Sequence, residues 1–292
     1  MAYLASPLLA ILSGALLAIY FDREFFPQSK KIGEYLLKTA IVLIGFNLNA
    51  VDMWLLSKDY FPVIFILITS VLVLGVLLGK VFKVDKVMSQ LITSGTAICG
   101  GTTIVTLAPI IKARADQVAL ALAMVFSLNM IAIIMFPIIG NYFEMSDLQF
   151  GVWSALSVHD TSSVVATAST YSDEASRIAA TVKLGRTLWL IPMVIFFSMK
   201  HKEANAKMKF PLFILFFILA SIGGTVLDGI IPTTLYEINN TLSKTLLVLA
   251  LFFVGTECNR GTLKLIRPPY IIQALILWVT VVFFTLVFSL SL

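Results

Sequence analysis

The sequence predicts an all-α polytopic membrane protein of about ten hydrophobic segments, with inverted repeats and two interrupted or re-entrant segments at 86–112 and 148–170. Three observations lead there. Hydrophobic residues make up 59% of the 292 positions and charged residues 13%, so most windows of about 20 residues are apolar enough to lie in lipid. Lysine and arginine fall mainly in short connections, as topology signals do. Two of the apolar runs carry glycine, hydroxyl and ionisable residues, for which a continuous lipid-facing helix has no use.

The first segment, Leu4 to Phe21, has no preceding lysine or arginine and contains Pro7, so it reads as a transmembrane helix and not as a cleaved signal. The second, Ile32 to Val51, and the ninth, Leu242 to Glu257, reach a comfortable span when Lys38 and Lys244 extend toward the head groups. Segments three, five, eight and ten run from Phe61 to Leu78, Val118 to Ile139, Phe210 to Ile231 and Tyr270 to Leu290. Each is long enough to cross the hydrocarbon layer. Segments four, six and seven, Val87 to Ile111, Phe150 to Thr170 and Ala175 to Phe197, carry the polar chemistry. No connection is long enough for a soluble domain, so residues 1–292 form one transmembrane domain, with repeat-like halves at about 1–140 and 145–292.

The net charge of +5 is scattered and forms no nucleic-acid patch. Cys99 and Cys258 are far apart and lack metal-ligand spacing. There is no Walker A loop, dinucleotide fingerprint, HExxH or GxSxG, so the chain is read as a non-enzyme without a cofactor or metal, and ATP-driven transport by it alone is not expected.

Charge counts test the topology. If all ten segments cross, lysines and arginines divide 14 to 5 between the two faces; if the fourth and sixth dip in and return, the division becomes 16 to 3. A displacement of 60 residues sets Thr102, Thr103, Ile104, Val105 and Ala108 on Ser162, Ser163, Val164, Val165 and Ala168. A second pairing sets segments 1 to 3 on 8 to 10, seven crossings apart, so those copies have opposite orientation. Re-entrant segments entering from opposite faces would make the first pairing antiparallel too.

Segment four contains "TSGTAICGGTTIVTLAP", closed by Pro109. Glycine is a weak helix former and proline lacks a donor, so the helix is expected to break. A half-helix starting near Gly101 or Thr102 would aim N–H groups and hydroxyls at an anion. The alternative is that the small residues serve close helix packing. Segment six contains "SVHDTSSVVATAS", which places His159 and Asp160 at its midpoint, followed by Thr161, Ser162 and Ser163. Histidine titrates near neutral pH in water, which makes the pair candidates for proton coupling. Segment seven contains "AATVKLGRTLWLIP", with Lys183 and Arg186 on one helical face near its centre. Each charge there costs about 2.5–3.5 kcal/mol on insertion scales. Either a solute anion completes their neutralisation, or they are structural partners of Asp160 and Glu257 respectively.

The blocks "SGTAICGGTTIVTLAPIIKARADQVALALA", "FGVWSALSVHDTSSVVATAS" and "AATVKLGRTLWLIP", with "LLKTAIVLIGFNLN" and "PYIIQALILW", resemble the YeiH-like sulfate exporter family of bacterial inner-membrane proteins over almost the whole chain. A weaker likeness reaches the bile-acid and sodium symporter-like superfamily. The resemblance implies a small anion such as sulfate, and interrupted helices meeting at the midplane.

The reading is therefore a multi-pass secondary transporter of the bacterial inner membrane, exporting a small inorganic or sulfur-containing anion by proton-coupled alternating access. Lys183, Arg186, Gly100, Gly101, Thr102, Thr103, Thr161, Ser162 and Ser163 are its candidate substrate-binding residues. Its partners are the anion, a coupling proton or sodium ion and membrane lipid, with a homodimer left open and nucleic acid not expected. Two alternatives stand beside it: a sodium-coupled organic-anion symporter, and a non-transporting receptor or membrane enzyme using His159, Asp160 and Cys99.

Overall fold

Helices start where the sequence supplies a cap, and in two places they stop where it supplies a break. A computed structural model describes residues 10, 13–14, 16–18, 20, 29–47, 49–201, 212–256 and 268–292, and among these every regular element is helical. Most of the first predicted segment lies outside the described residues, as do Glu257, Cys258 and Asn259.

The helices in order are α1 (Ser29–Phe46), α2 (Ala50–Val81), α3 (Lys86–Ala97), α4 (Gly100–Leu107), α5 (Ala115–Tyr142), α6 (Asp147–Ser157), α7 (Thr161–Ser169), α8 (Asp173–Thr187), α9 (Leu190–His201), α10 (Leu212–Val226), α11 (Thr233–Gly255) and α12 (Pro268–Leu290). Asp85 caps α3 by accepting from the Met88 N–H, and Ser146 and Gln149 form a capping box on α6. Among the described residues, four stretches are long and apolar enough to cross a membrane: Lys58–Val81, Leu120–Tyr142, Asp173–Lys200 and Pro268–Leu290. They match the third, fifth, seventh and tenth predicted segments.

The chain packs as two units, residues 1–58 with 210–261, and residues 59–209 with 262–292. The units interleave along the sequence, whereas the repeat-like halves run consecutively. In the first unit α1 packs on both α10 and α11. Asn239 there donates to the Leu43 carbonyl at 2.8 Å and to Asn47 Oδ1 at 2.9 Å. Asn47 is thus interhelical glue.

The second unit is built on two folded-back pairs of short helices. In α3–α4, a Cβ at Gly95 would lie 3.1 Å from the Ile104 side chain, so the arms pack side by side. The ends of the segment meet, because Gln117 in the first turn of α5 donates to Asp85, the cap of α3, at 2.7 Å. In α6–α7 the Tyr171 hydroxyl donates to the Met145 carbonyl, Ser172 donates to Asp147 at 2.5 Å, and the Phe150 and Tyr171 rings stack at 4.0 Å. The 60-residue displacement carries Ala97, the last residue of α3, onto Ser157, the last residue of α6.

α12 braces both pairs. Gln273 donates to the Gly75 carbonyl at 2.9 Å and to Ser89 at 2.8 Å, while Ser157 and Thr285 hydroxyls meet at 3.1 Å. Gly75 and Gly79 let α2 approach α3 so closely that a Cβ on either would overlap Thr93 or Ser89. That GxxxG spacing is plain in the sequence. Trp153 and Trp278 fall within the core, 0% and 8% exposed, and Phe136 stacks on both.

Candidate functional site

The two interruptions face each other. α3 ends at Ala97 and α4 starts at Gly100; α6 ends at Ser157 and α7 starts at Thr161. Gly100 has φ +42, and a Cβ there would lie 2.9 Å from Val125 Cγ1 and 3.1 Å from His159 Cβ. Only glycine adopts this backbone readily, and only glycine allows the two breaks to come this close. The Cys99 thiol and the Thr161 hydroxyl join the breaks directly at 3.3 Å. The sequence had placed the new helix start near Gly101 or Thr102; the left-handed Gly100 begins it slightly earlier.

A break in a helix orphans carbonyls on one side and N–H groups on the other. The cations of α8 take the carbonyl side. Lys183 is 0% exposed and its ammonium donates to the Val158 carbonyl at 2.7 Å and the Ala155 carbonyl at 3.4 Å. Arg186, also 0% exposed, spans both breaks. Its Nε donates to Ala97 at 2.9 Å, its Nη1 to Leu156 at 2.6 Å, and its Nη2 to the carbonyl of Thr96. The planar fork suits this task, since one guanidinium reaches the ends of two helices and opposes the negative pole of each dipole. These hydrogen bonds run to backbone carbonyls; the expected pairing of Arg186 with Glu257 lies outside the described residues.

The N–H side differs between the two breaks. Asp160 caps α7, accepting from the Ser162 N–H at 3.2 Å and from the Ser162 hydroxyl. Cys99, at the corresponding position before α4, makes no side-chain cap. Thr103 is turned inward, accepting from the Cys99 N–H at 3.2 Å, and Thr161 and Ser163 are buried. Thr102 and Ser162 are half-buried, and Gly101 is buried in the first turn of α4.

His159 is held on every polar atom but its carbonyl. Asn129 Oδ1 accepts from the His159 backbone N–H at 3.2 Å and lies 3.2 Å from its Nδ1, while Nε2 lies 3.2 Å from the Thr96 hydroxyl. A backbone N–H can only donate, so Asn129 presents its oxygen. Nδ1 is then inferred to carry the ring proton in the neutral form, with Nε2 accepting from Thr96. Asn129 and Thr96 are the site residues least legible in the sequence. Asn129 showed only as a polar residue in an apolar run, and Thr96 as one hydroxyl among several.

Among the described residues no group of three or more histidine, cysteine, aspartate or glutamate side chains is placed to hold a metal ion. What the geometry defines is an all-helical membrane protein with a buried polar crossing of two interrupted segments. The chain belongs to the family described as Conserved hypothetical protein 698, whose model matches residues 1–269. It is 37% identical over 284 residues to a UPF0324 membrane protein of Bacteroides thetaiotaomicron, covering 97% of this chain and 86% of that one. It is 36% identical to UPF0324 membrane proteins of Shewanella oneidensis, over 96% of this chain and 87% of the relative, and of Geobacter sulfurreducens, over 95% and 89%. No solved structure matches the chain.

Proposed function

We propose that the protein is a multi-pass secondary transporter of the bacterial inner membrane that moves a small inorganic or sulfur-containing anion, such as sulfate or a sulfonate, by proton-coupled alternating access. Two buried cations carry the reading. The hydrogen bonds of Lys183 and Arg186 run to carbonyls, which are neutral dipoles and supply no opposite unit charge. Asp160 is the sole carboxylate in the sequence of either break. A positive field at the crossing therefore remains for a solute to complete.

On this reading α3–α4 and α6–α7 are re-entrant pairs of an inverted repeat entering from opposite faces. α3 and α6 are short, at three turns each. Neither is long enough to cross the hydrocarbon layer by itself. The meeting of each segment's ends supports a dip and return, and so does the 16 to 3 division of lysine and arginine. The alternative of close helix packing accounts for Gly100 but not for two polar breaks facing each other. Lys183 and Arg186 act through their field, while Gly101 and the Thr102 hydroxyl supply the donors nearest the solute; the Ser162 donors are taken by Asp160. Asp160 is the proton carrier, because it is half-buried at the mouth of α7 and its protonation would alter that helix's cap; His159 holds the crossing with its ring. Efflux as the net direction is what the resemblance of the sequence blocks to sulfate exporters implies.

The test is a thermal-shift panel of sulfate, sulfite, thiosulfate and taurine on the purified full chain. Stabilisation by at least one anion, weakened about tenfold or more in Lys183→Met, is expected. A wild-type protein indifferent to all of them, and to a proton gradient in vesicles, would overturn the reading.

A further inference from the structure

One group in the crossing has hydrogen-bonding capacity that the protein leaves unused. Asn129 is 1% exposed; its oxygen serves His159, while its Nδ2 has no hydrogen-bond partner among the described residues. The amide cannot be turned to remedy this, because its nitrogen would then face the His159 N–H, donor against donor. A buried carboxamide with two idle hydrogens is costly, and such a group in a native protein calls for an explanation.

Its place supplies one. Leu122, Val125, Phe126 and Asn129 follow one another at helical spacing on one face of α5. A Cβ at Gly101 would lie 3.5 Å from Leu122 and 3.6 Å from Phe126, and one at Gly100 would lie 2.9 Å from Val125. The stripe that ends in Asn129 therefore lies against the first turn of α4. This is the break whose N-terminus has no side-chain cap, in contrast to α7 with Asp160. Asn129, one turn beyond Val125, is thereby placed beside the start of α4, which the Gly100 and Gly101 N–H groups lead, while the Thr102 N–H is taken by the Cys99 carbonyl at 3.2 Å. A ligand made of acceptors would satisfy the amide hydrogens and these helix N–H groups together.

The geometry points to Asn129 as a direct hydrogen-bond donor to a compact oxyanion held at the N-terminus of α4. This rests on the anion-transport reading above and adds a residue and a ligand class to it: a dianion or sulfonate head group whose oxygens only accept. Asn129 thereby joins the transported solute to His159 through a single side chain, its oxygen on the protein and its nitrogen on the ligand.

Inorganic sulfate and thiosulfate, titrated into the full chain in detergent by calorimetry, test it with two variants. Asn129→Asp keeps the acceptor for His159 and replaces the donors by an oxygen. Asn129→Leu removes the donors without adding charge. Both are expected to weaken binding of the anion that the wild type prefers by tenfold or more. Either variant binding it within twofold of wild type overturns the role of Asn129 and leaves the transport reading intact. A wild type that binds neither anion, nor sulfite or taurine, overturns both. If Asn129→Asp fails to fold, Asn129→Leu decides alone, and if both fail, the Asn129 amide resonance decides: it must shift on adding sulfate to wild type labelled with asparagine-15N, and its constancy overturns the proposal.

Discussion

The Nε of Arg186 lies 2.9 Å from the carbonyl oxygen of Ala97, the last residue of α3. The same guanidinium reaches Leu156 near the end of α6, so one side chain closes the carbonyl ends of both interrupted segments. Removing it would leave buried acceptors of two helices without donors. Arg186→Ala is expected to lose about 3 kcal/mol or more. Arg186→Lys, with a point charge in place of a fork, should fall between wild type and alanine. Melting temperatures in detergent check the order, and an alanine variant as stable as wild type would remove the clasp.

Lys183 serves one break only, through Val158 and Ala155. Lys183→Met keeps the length of the side chain and removes a buried charge, so its cost is limited to the acceptors it abandons, about 1–3 kcal/mol. Anion stabilisation should fall further than stability does. The comparison with Arg186→Ala separates a field contribution from a structural one. Equal loss of anion binding and stability in both variants would count against that separation.

Gly100→Ala combines a left-handed backbone with a methyl 2.9 Å from Val125 and 3.1 Å from His159. Strain of this kind costs about 1–3 kcal/mol before the overlap is added. Gly101→Ala meets only ordinary contacts at 3.5 and 3.6 Å. It lies in helical backbone, where alanine is favoured by about 0.5–1 kcal/mol. The two neighbours should thus move the melting temperature in opposite directions.

Asp160→Asn should leave the fold in place, because asparagine caps a helix about as well as aspartate. It cannot carry a proton at physiological pH. Anion flux in reconstituted vesicles should then lose its dependence on a proton gradient, while anion binding persists. Flux that still follows the gradient would take Asp160 out of the coupling step.

Topology can be read directly by labelling single cysteines in a background without Cys99 and Cys258. Positions Lys83 and Lys112, before and after the α3–α4 pair, are expected to label from one face. Positions Glu144 and Asp173, flanking α6–α7, are expected to label from the other. Labelling of Lys83 and Lys112 from opposite faces would mean that α3 and α4 cross the membrane together.

Much of this protein was legible in its sequence because the relevant forces are local. Apolar composition decides partition into lipid whatever the fold. The breaks at 98–99 and 158–160 follow from glycines, hydroxyls and a capping aspartate close to them in the chain. The proposed dip and return of each pair has its trace in the distribution of lysine and arginine. The partners of Lys183 and Arg186 left none. Every residue carries a carbonyl, so side-chain identities cannot tell which carbonyls a broken helix will leave unpaired. Only the packing of α8 against the ends of α3 and α6 decided that, and only the packing of α5 beside the second break decided that Asn129 would present its oxygen to His159.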